Sequence, residues 1–309
     1  MNAGSIVVVG ASMLDLISYV PRLPVPGETL HGSSFRMGYG GKGANQAVMA
    51  AKLGSSVTMV VKLGTDVFGD GTVENFREQG VDTTHVHQTS AAFSGVAPIA
   101  VDEEGRNAII IVAGANDHLG IEDVEAARPA IAAANVVVCQ LEIPIDVTLA
   151  ALRIAREEGV QTILNPAPAR TDLPAEAYTL ADIFCPNEPE TELLTGGTLH
   201  TPDQAIQQAE VLRRYGAGAV VLTLGERGCL VVDDEGATTF PSDEVEVVDT
   251  TGAGDAFVGS LAHYLGRGAT TRQAAARASK VASFSVAYRG TQTSFPEAAD
   301  LPMDMHGVD

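Results

Sequence analysis

Asp249-Thr250-Thr251-Gly252-Ala253-Gly254-Asp255-Ala256-Phe257 is the stretch on which the fold reading turns. It follows an alternating apolar run, Val245-Glu246-Val247-Val248, which predicts a strand, and it precedes an Ala-rich stretch that predicts a helix. Strand, paired glycines and helix start together aim several backbone N–H groups at one spot. That spot attracts an anion, because the first N–H groups of a helix are unpaired and lie at the positive end of its dipole. Asp255 stands at the mouth of this nest. As a first-turn acid it has a plain structural reading. A carboxylate beside an anion site nevertheless raises the cost of binding the anion. It belongs there if it takes a proton from an alcohol while a phosphoryl group moves.

Outward from this stretch, short β-branched runs alternate with helical patterns. Ile6–Val9, Val57–Val61, Val136–Cys139, Thr162–Leu164, Ile183–Cys185 and Ala219–Leu224 read as buried parallel strands. Asn45–Leu53, Thr72–Gln79, Val147–Glu158 and Ala205–Tyr215 read as helices between them. Such a βαβ series predicts a doubly wound α/β sheet with ligands at the carboxyl ends of its strands. Residues 13–40 and 92–112 break the rhythm with Pro, Gly and hairpin patterns. They predict a small β-sheet inserted into one α/β domain spanning residues 1–309, placed as a lid that excludes water. One face of such a lid and its edges need cover, which predicts a homodimer.

Composition sets the outer limits. The chain has 309 residues, 45% of them hydrophobic, which supports a sizeable core. Its net charge of −20 argues against nucleic acid and anionic membrane surfaces as partners. A phosphate ligand stays open, because backbone nests and a bound metal hold phosphate inside an acidic protein. Cys139, Cys185 and Cys229 are widely spaced and form no C-x-x-C, so neither a zinc ribbon nor a disulfide framework is indicated. The N-terminus has no secretory pattern and no apolar run reaches the length of a membrane span, so a reducing, cytoplasmic setting is expected. His85 and His87 have strand spacing, and without a third ligand they read as exposed strand histidines.

A second glycine-rich segment is Gly38-Tyr39-Gly40-Gly41-Lys42-Gly43-Ala44-Asn45-Gln46. Its superficial G-x-G-x-x-G match lacks the first strand of a dinucleotide unit, so an NAD-dependent oxidoreductase fails on context. It is not a Walker A loop either. What it offers is backbone freedom beside Lys42 and Asn45, donors suited to hydroxyl oxygens. This segment and Asp249–Asp255 resemble the two signature regions of the PfkB carbohydrate kinases, and within that family the ribokinase branch. The resemblance runs from Val9-Gly10 to Gly290-Thr291-Gln292. It passes through Gly64-Thr65-Asp66, Ala113-Gly114-Ala115-Asn116, Gln140-Leu141-Glu142, Asn165-Pro166-Ala167-Pro168-Ala169, Pro186-Asn187-Glu188 and Thr223-Leu224-Gly225.

The resemblance implies a ribokinase-like fold and ATP-dependent phosphorylation of the 5-hydroxyl of D-ribose. It makes Asp255 the base, with Gly252, Ala253 and Gly254 presenting N–H groups to the moving phosphoryl. It assigns the sugar to Met13, Asp15, Gly41, Lys42, Gly43, Asn45 and Glu142, together with Asp255. Asn187, Thr223, Gly225, Arg227, Gly228, Gly254 and Ser279 would face the nucleotide. Glu190 would hold Mg²⁺ through water. Asp249, Thr251, Ser285, Tyr288, Gly290 and Ser294 would surround K⁺. Three positions depart from the family pattern. Met13 replaces an Asn common beside the sugar, Ser279 an Asn common near the adenosine, and Tyr288 is bulky for its loop. The alternatives are a sibling kinase of another sugar or a nucleoside, and a non-catalytic sugar- or nucleotide-binding regulator.

Overall fold

The computed structural model describes residues 4–307. In chain order its strands are β1 (Ser5–Val9), β2 (Met13–Tyr19), β3 (Ser34–Gly40), β4 (Ser56–Gly64), β5 (Val81–Thr89), β6 (Gly95–Val101) and β7 (Asn107–Ile109). Next come β8 (Val136–Cys139), β9 (Gln161–Leu164), β10 (Ile183–Phe184), β11 (Ala219–Thr223), β12 (Cys229–Asp233) and β13 (Gly236–Phe240). Among the described residues they form two sheets. The larger is nine-stranded, in the order β13-β12-β11-β10-β9-β8-β1-β4-β5, and the smaller is four-stranded, in the order β3-β2-β6-β7.

The larger sheet is parallel from β5 to β11 and turns antiparallel only at β12 and β13. Apolar residues on both faces explain the near-continuous Val/Ile runs. Val8, Val138 and Val221 point into one core, with Ala256, Leu261 and Tyr264 from helix Ala253–Gly266. Val7, Val137 and Val220 point into the other, with Val147, Leu152 and Leu212. Each such side chain, fully buried, contributes roughly 1.5–3 kcal/mol to folding. The strand order reverses at β1, whose neighbours are β4 and β8. That reversal opens a crevice at the carboxyl ends of β1 and β8, the usual ligand position in doubly wound sheets.

Most element boundaries agree with the sequence reading; three differ for physical reasons. Helix Val67–Glu78 starts well before Thr72, because Asp66 caps it by accepting from the N–H groups of Phe68 and Gly69. Strand β5 was noted only through its two histidines, since its polar, half-exposed sequence carries no buried run. The stretch Val245–Val248 is not a strand. It runs as irregular, exposed chain with no strand beside it among the described residues, tied by Val248 and Asp249 N–H groups to Val286 O.

The smaller sheet is built from the two segments that broke the βα rhythm. Asp15 pairs with Gly38 on one side and Ala97 on the other. Met13 and Asp15 share one face of β2, while Leu14 and Leu16 share the other. Beside the second face, Phe35 and Met37 of β3 and Ile110 and Val112 following β7 are exposed.

Candidate active site

The site is assembled at the crevice from two helix starts. Helix Lys42–Lys52 begins at Gly41, whose φ of 86° is open to glycine alone without strain. A Cβ there would lie 2.7 Å from Met13 N and 2.8 Å from Ser12 Cα. Gly43 is held as tightly: its Cβ would meet Gly10 C at 2.8 Å and Ala11 N at 2.9 Å. The glycines therefore let this helix start press against the end of β1. Lys42 N–H donates to Glu142 Oε2 at 2.7 Å, which brings the residue after β8 onto the same helix start.

Helix Ala253–Gly266 supplies the second start. Gly252 takes a φ of 80° as its cap, and the first helical bond runs from Ala256 N to Gly252 O. Of the expected donors Gly252, Ala253 and Gly254, the Ala253 N–H is spent on Thr250 O at 3.3 Å, whereas the N–H groups of Gly254 and Asp255 lie ahead of that helical bond, as an anion nest requires. A Cβ placed on Gly254 meets nothing within 4 Å, so protein packing does not explain the glycine. Asp255 is buried, and both its oxygens accept: Oδ2 from Asn45 Nδ2 and Oδ1 from Gln46 Nε2, each at 2.9 Å.

Four carboxylates share this pocket with one ammonium. Burial, and then the charge of Asp255, push Asp15 up to about 6. Burial also raises Glu142, although Lys42 beside it pulls the other way. Burial raises Glu190 against the Asn187 N–H that it accepts. Lys42 is itself pushed down by burial, but Asp255, Glu142 and Glu190 outweigh this and hold it above its ordinary value. The surplus of negative charge is suited to a hydrated divalent cation.

Where the nucleotide is expected, Asn187 and Thr223 meet in an isolated parallel bridge at the ends of β10 and β11. Gly225–Arg227 form a single 3₁₀ turn beside them, and Arg227 is ion-paired with Glu188. Gly228 closes that turn with a φ of 84°. Ser279 sits buried on helix Thr271–Ser285, where its hydroxyl faces Pro241 O. Glu190 completes a capping box, taking Asn187 N–H at 2.8 Å and giving its own N–H to Asn187 Oδ1.

Behind the nest, Asp249 Oδ1 accepts from Thr251 N and Oδ2 from Gly290 N, both at 2.9 Å. Burial pushes Asp249 up, but those donors outweigh it and hold the carboxyl below its ordinary range. Ser285, Tyr288 and Ser294 lie along the segment that Gly290 closes, their hydroxyl or N–H groups spent within local turns. The Tyr288 ring turns outward onto Phe284, with centroids 5.2 Å apart. One carboxylate among backbone oxygens makes a hard-oxygen setting of low charge. His85 and His87 stand apart on β5, rings 6.4 Å from each other, with His87 near the Lys62–Asp123 ion pair. Among the described residues no group of three or more His, Cys, Asp or Glu side chains gathers as a direct metal site.

The sequence reading missed a layer of buried carboxamides. Gln46, Gln140, Asn165 and Gln292 all belong to it, and Gln46 touches Asp255 directly. Gln140 and Asn165 directly follow β8 and β9, which was the available signal for them; the bonds of these side chains to one another, to Asn45 and to Asp255 cross 94 to 247 residues of chain.

Comparison with known proteins is consistent with this geometry. The profile of the pfkB family carbohydrate kinases matches residues 3–298. Mouse ribokinase is 45% identical over 306 residues, covering 98% of this chain and 95% of that protein. A deoxyribokinase of Salmonella typhi is 40% identical over 291 residues, covering 94% of this chain and 95% of that protein. The structure of Arabidopsis thaliana ribokinase complexed with ribose and ATP superposes with a TM-score of 0.91 at 30% identity, covering 99% of both chains.

Proposed function

The chain belongs to the pfkB family of carbohydrate kinases, and from that footing we propose that it transfers the γ-phosphoryl of ATP to the 5-hydroxyl of D-ribose. The observation that carries this reading is the meeting of Asp255 with Asn45 at 2.9 Å, at the mouth of the Gly252–Gly254 helix start. Asp15, Lys42, Asn45 and Glu142 offer the mixture of acceptors and donors that a polyol needs. Asp255 takes the proton of the attacking hydroxyl. The Gly254 and Asp255 N–H groups hold the charge that spreads over the transferred phosphoryl, the contribution that usually dominates such catalysis.

Asn187, Thr223, Gly225, Arg227, Gly228 and Ser279 line the proposed nucleotide side. Glu190 and its neighbouring carboxylates would hold Mg²⁺ through water, and the bound cation would neutralise phosphate charge. Asp249, with backbone oxygens of Thr251, Ser285, Tyr288, Gly290 and Ser294, would hold K⁺ and brace the nest. The smaller sheet acts as a lid over the sugar within one α/β domain. Its exposed Phe35, Met37, Ile110 and Val112 pack against a second copy in a homodimer. The three buried thiols suit a reducing compartment, and we place the enzyme in the cytoplasm.

A second acceptor has a specific argument. Met13 puts an apolar side chain on the same face as Asp15, where a hydroxyl partner is common in the family, and a deoxyribokinase is among the relatives. Release of ADP should therefore be measured with ribose, 2-deoxyribose, other pentoses and nucleosides. Ribose is expected to give the highest kcat/KM; a nucleoside in that place would overturn the assignment. Asp255→Asn is expected to lose about 10²- to 10⁴-fold in kcat while ribose binding persists. Full activity in that variant would remove Asp255 from its role and favour a different base.

A further inference from the structure

The carboxamides around Asp255 form two directed chains, and their significance rests on the base and sugar roles proposed above. In the first, Asn75 Nδ2 donates to Gln292 Oε1 at 3.0 Å, Gln292 Nε2 to Asn45 Oδ1 at 3.1 Å, and Asn45 Nδ2 to Asp255 Oδ2 at 2.9 Å. In the second, Gln140 Nε2 donates to Gln46 Oε1 at 2.7 Å, and Gln46 Nε2 to Asp255 Oδ1 at 2.9 Å and Asn165 Oδ1 at 3.1 Å. All these side chains are buried.

A carboxylate only accepts, so Asp255 dictates which way every amide must turn. Asn45 has to present its NH₂ group, which leaves Oδ1 facing Gln292; Gln292 then has to present its own NH₂, and Asn75 likewise. The second chain shows that this sense is imposed. Gln140 donates toward Gln46 although its Oε1 is thereby left buried with no partner. Gly10 lies against that oxygen, and a Cβ there would overlap it. A buried orphan acceptor is costly, and donation toward the carboxylate offsets the cost.

We propose that Asn75 and Gln292 are positioning residues for phosphoryl transfer, which hold Asn45 and the base in one orientation from outside the pocket. Gln292 also lies close in the chain to the residues that brace the nest. Two residues before it, Gly290 N–H binds Asp249 Oδ2, and Asp249 Oδ1 takes Thr251 N–H. Sugar contact, base and anion nest are thus linked by these hydrogen bonds and the short stretches of chain between them.

The direction of the chain gives a test that simple packing does not mimic. Asn75→Asp sets an acceptor against Gln292 Oε1. Gln292 must turn over, Asn45 must follow, and Asn45 Oδ1 then faces Asp255 Oδ2. Asn75→Leu removes one donor but leaves the sense intact. The aspartate is expected to lower kcat with ribose about tenfold or more and the leucine less than about threefold, with KM for ATP unchanged in both. Gln292→Glu makes the same reversal one link nearer and is expected to lose at least as much, which covers an Asn75→Asp protein that fails to fold. In the unliganded protein, the Asn45 side-chain NH₂ resonances should move in Asn75→Asp and stay in Asn75→Leu. Leucine costing more than aspartate, or losses that follow the melting temperature alone, would overturn the proposal. A wild type that phosphorylates no pentose would defeat the kinase reading instead, and the Asn45 resonances would still decide the positioning.

Discussion

Asp15 shows how the proposed sugar site would store its cost in a single residue. Its folded pKa of about 6 stands above the 3.8 of an unperturbed aspartate, mainly through burial. A raised acid contributes stability that is complete below the unfolded pKa and lost as pH rises through the folded one. At about pH 7.5 the ionised Asp15 is therefore a burden, and Asp15→Asn is expected to gain up to about 3 kcal/mol in urea unfolding. That gain should vanish near pH 4. The same variant should bind ribose poorly, because an amide accepts less well from hydroxyls. In the wild type, KM for ribose should rise as pH falls through about 6, since the protonated acid accepts more weakly and turns one oxygen into a donor. A flat KM across that range would separate Asp15 from the sugar. Gly254 makes the opposite case. With open space around its Cβ position, Gly254→Ala should leave the melting temperature unchanged yet raise KM for ATP and lower kcat. Normal turnover there would mean that no phosphate approaches that backbone.

Among elements, the helix starts decide more than the strands do. Gly43→Ala would push a methyl into the backbone of Gly10 and Ala11, and a loss of about 1–3 kcal/mol in denaturant unfolding is expected. Stability equal to wild type would show that helix Lys42–Lys52 can lift away freely from β1. The elements also divide by how readable they were. Buried strands such as β1, β8 and β11 announced themselves through β-branched runs, because both of their faces are packed. Helix Val67–Glu78 hid its first turn behind Gly69 and Gly71, and only the Asp66 cap places it. Val245–Val248 alternates as a strand should, yet among the described residues no strand lies beside it to complete a ladder. Of the site, Asp255, Asn45 and Lys42 were legible because each sits in a glycine-rich helix start. Gln46 and Gln292 were not: a hydrogen bond between residues 209 or 247 positions apart leaves no mark on local pattern.

At the scale of the molecule, charge and burial pull in different directions. The net charge of −20 is spread over a surface that repels itself. Screening should relieve this, so the melting temperature is expected to rise as KCl increases from about 0.05 to 1 M, read by calorimetry. A falling melting temperature would show that attractive ion pairs dominate instead. The smaller sheet adds a second whole-molecule expectation. Met37→Asp together with Ile110→Asp should convert the proposed dimer to monomer in sedimentation while the larger sheet stays folded; an unchanged mass would move the interface elsewhere.

The contact between Asn45 and Gln292 spans 247 residues and has a consequence for the newborn protein. Asn45 is translated well before its partner. At roughly 5–20 residues per second, the interval between them is on the order of ten seconds or more. For most of that time the emerging chain carries Asn45 but neither Asp255 nor Gly252–Gly254, the proposed base and nest. The order of synthesis thus makes the proposed phosphoryl transfer wait until both glycine-rich helix starts have been made.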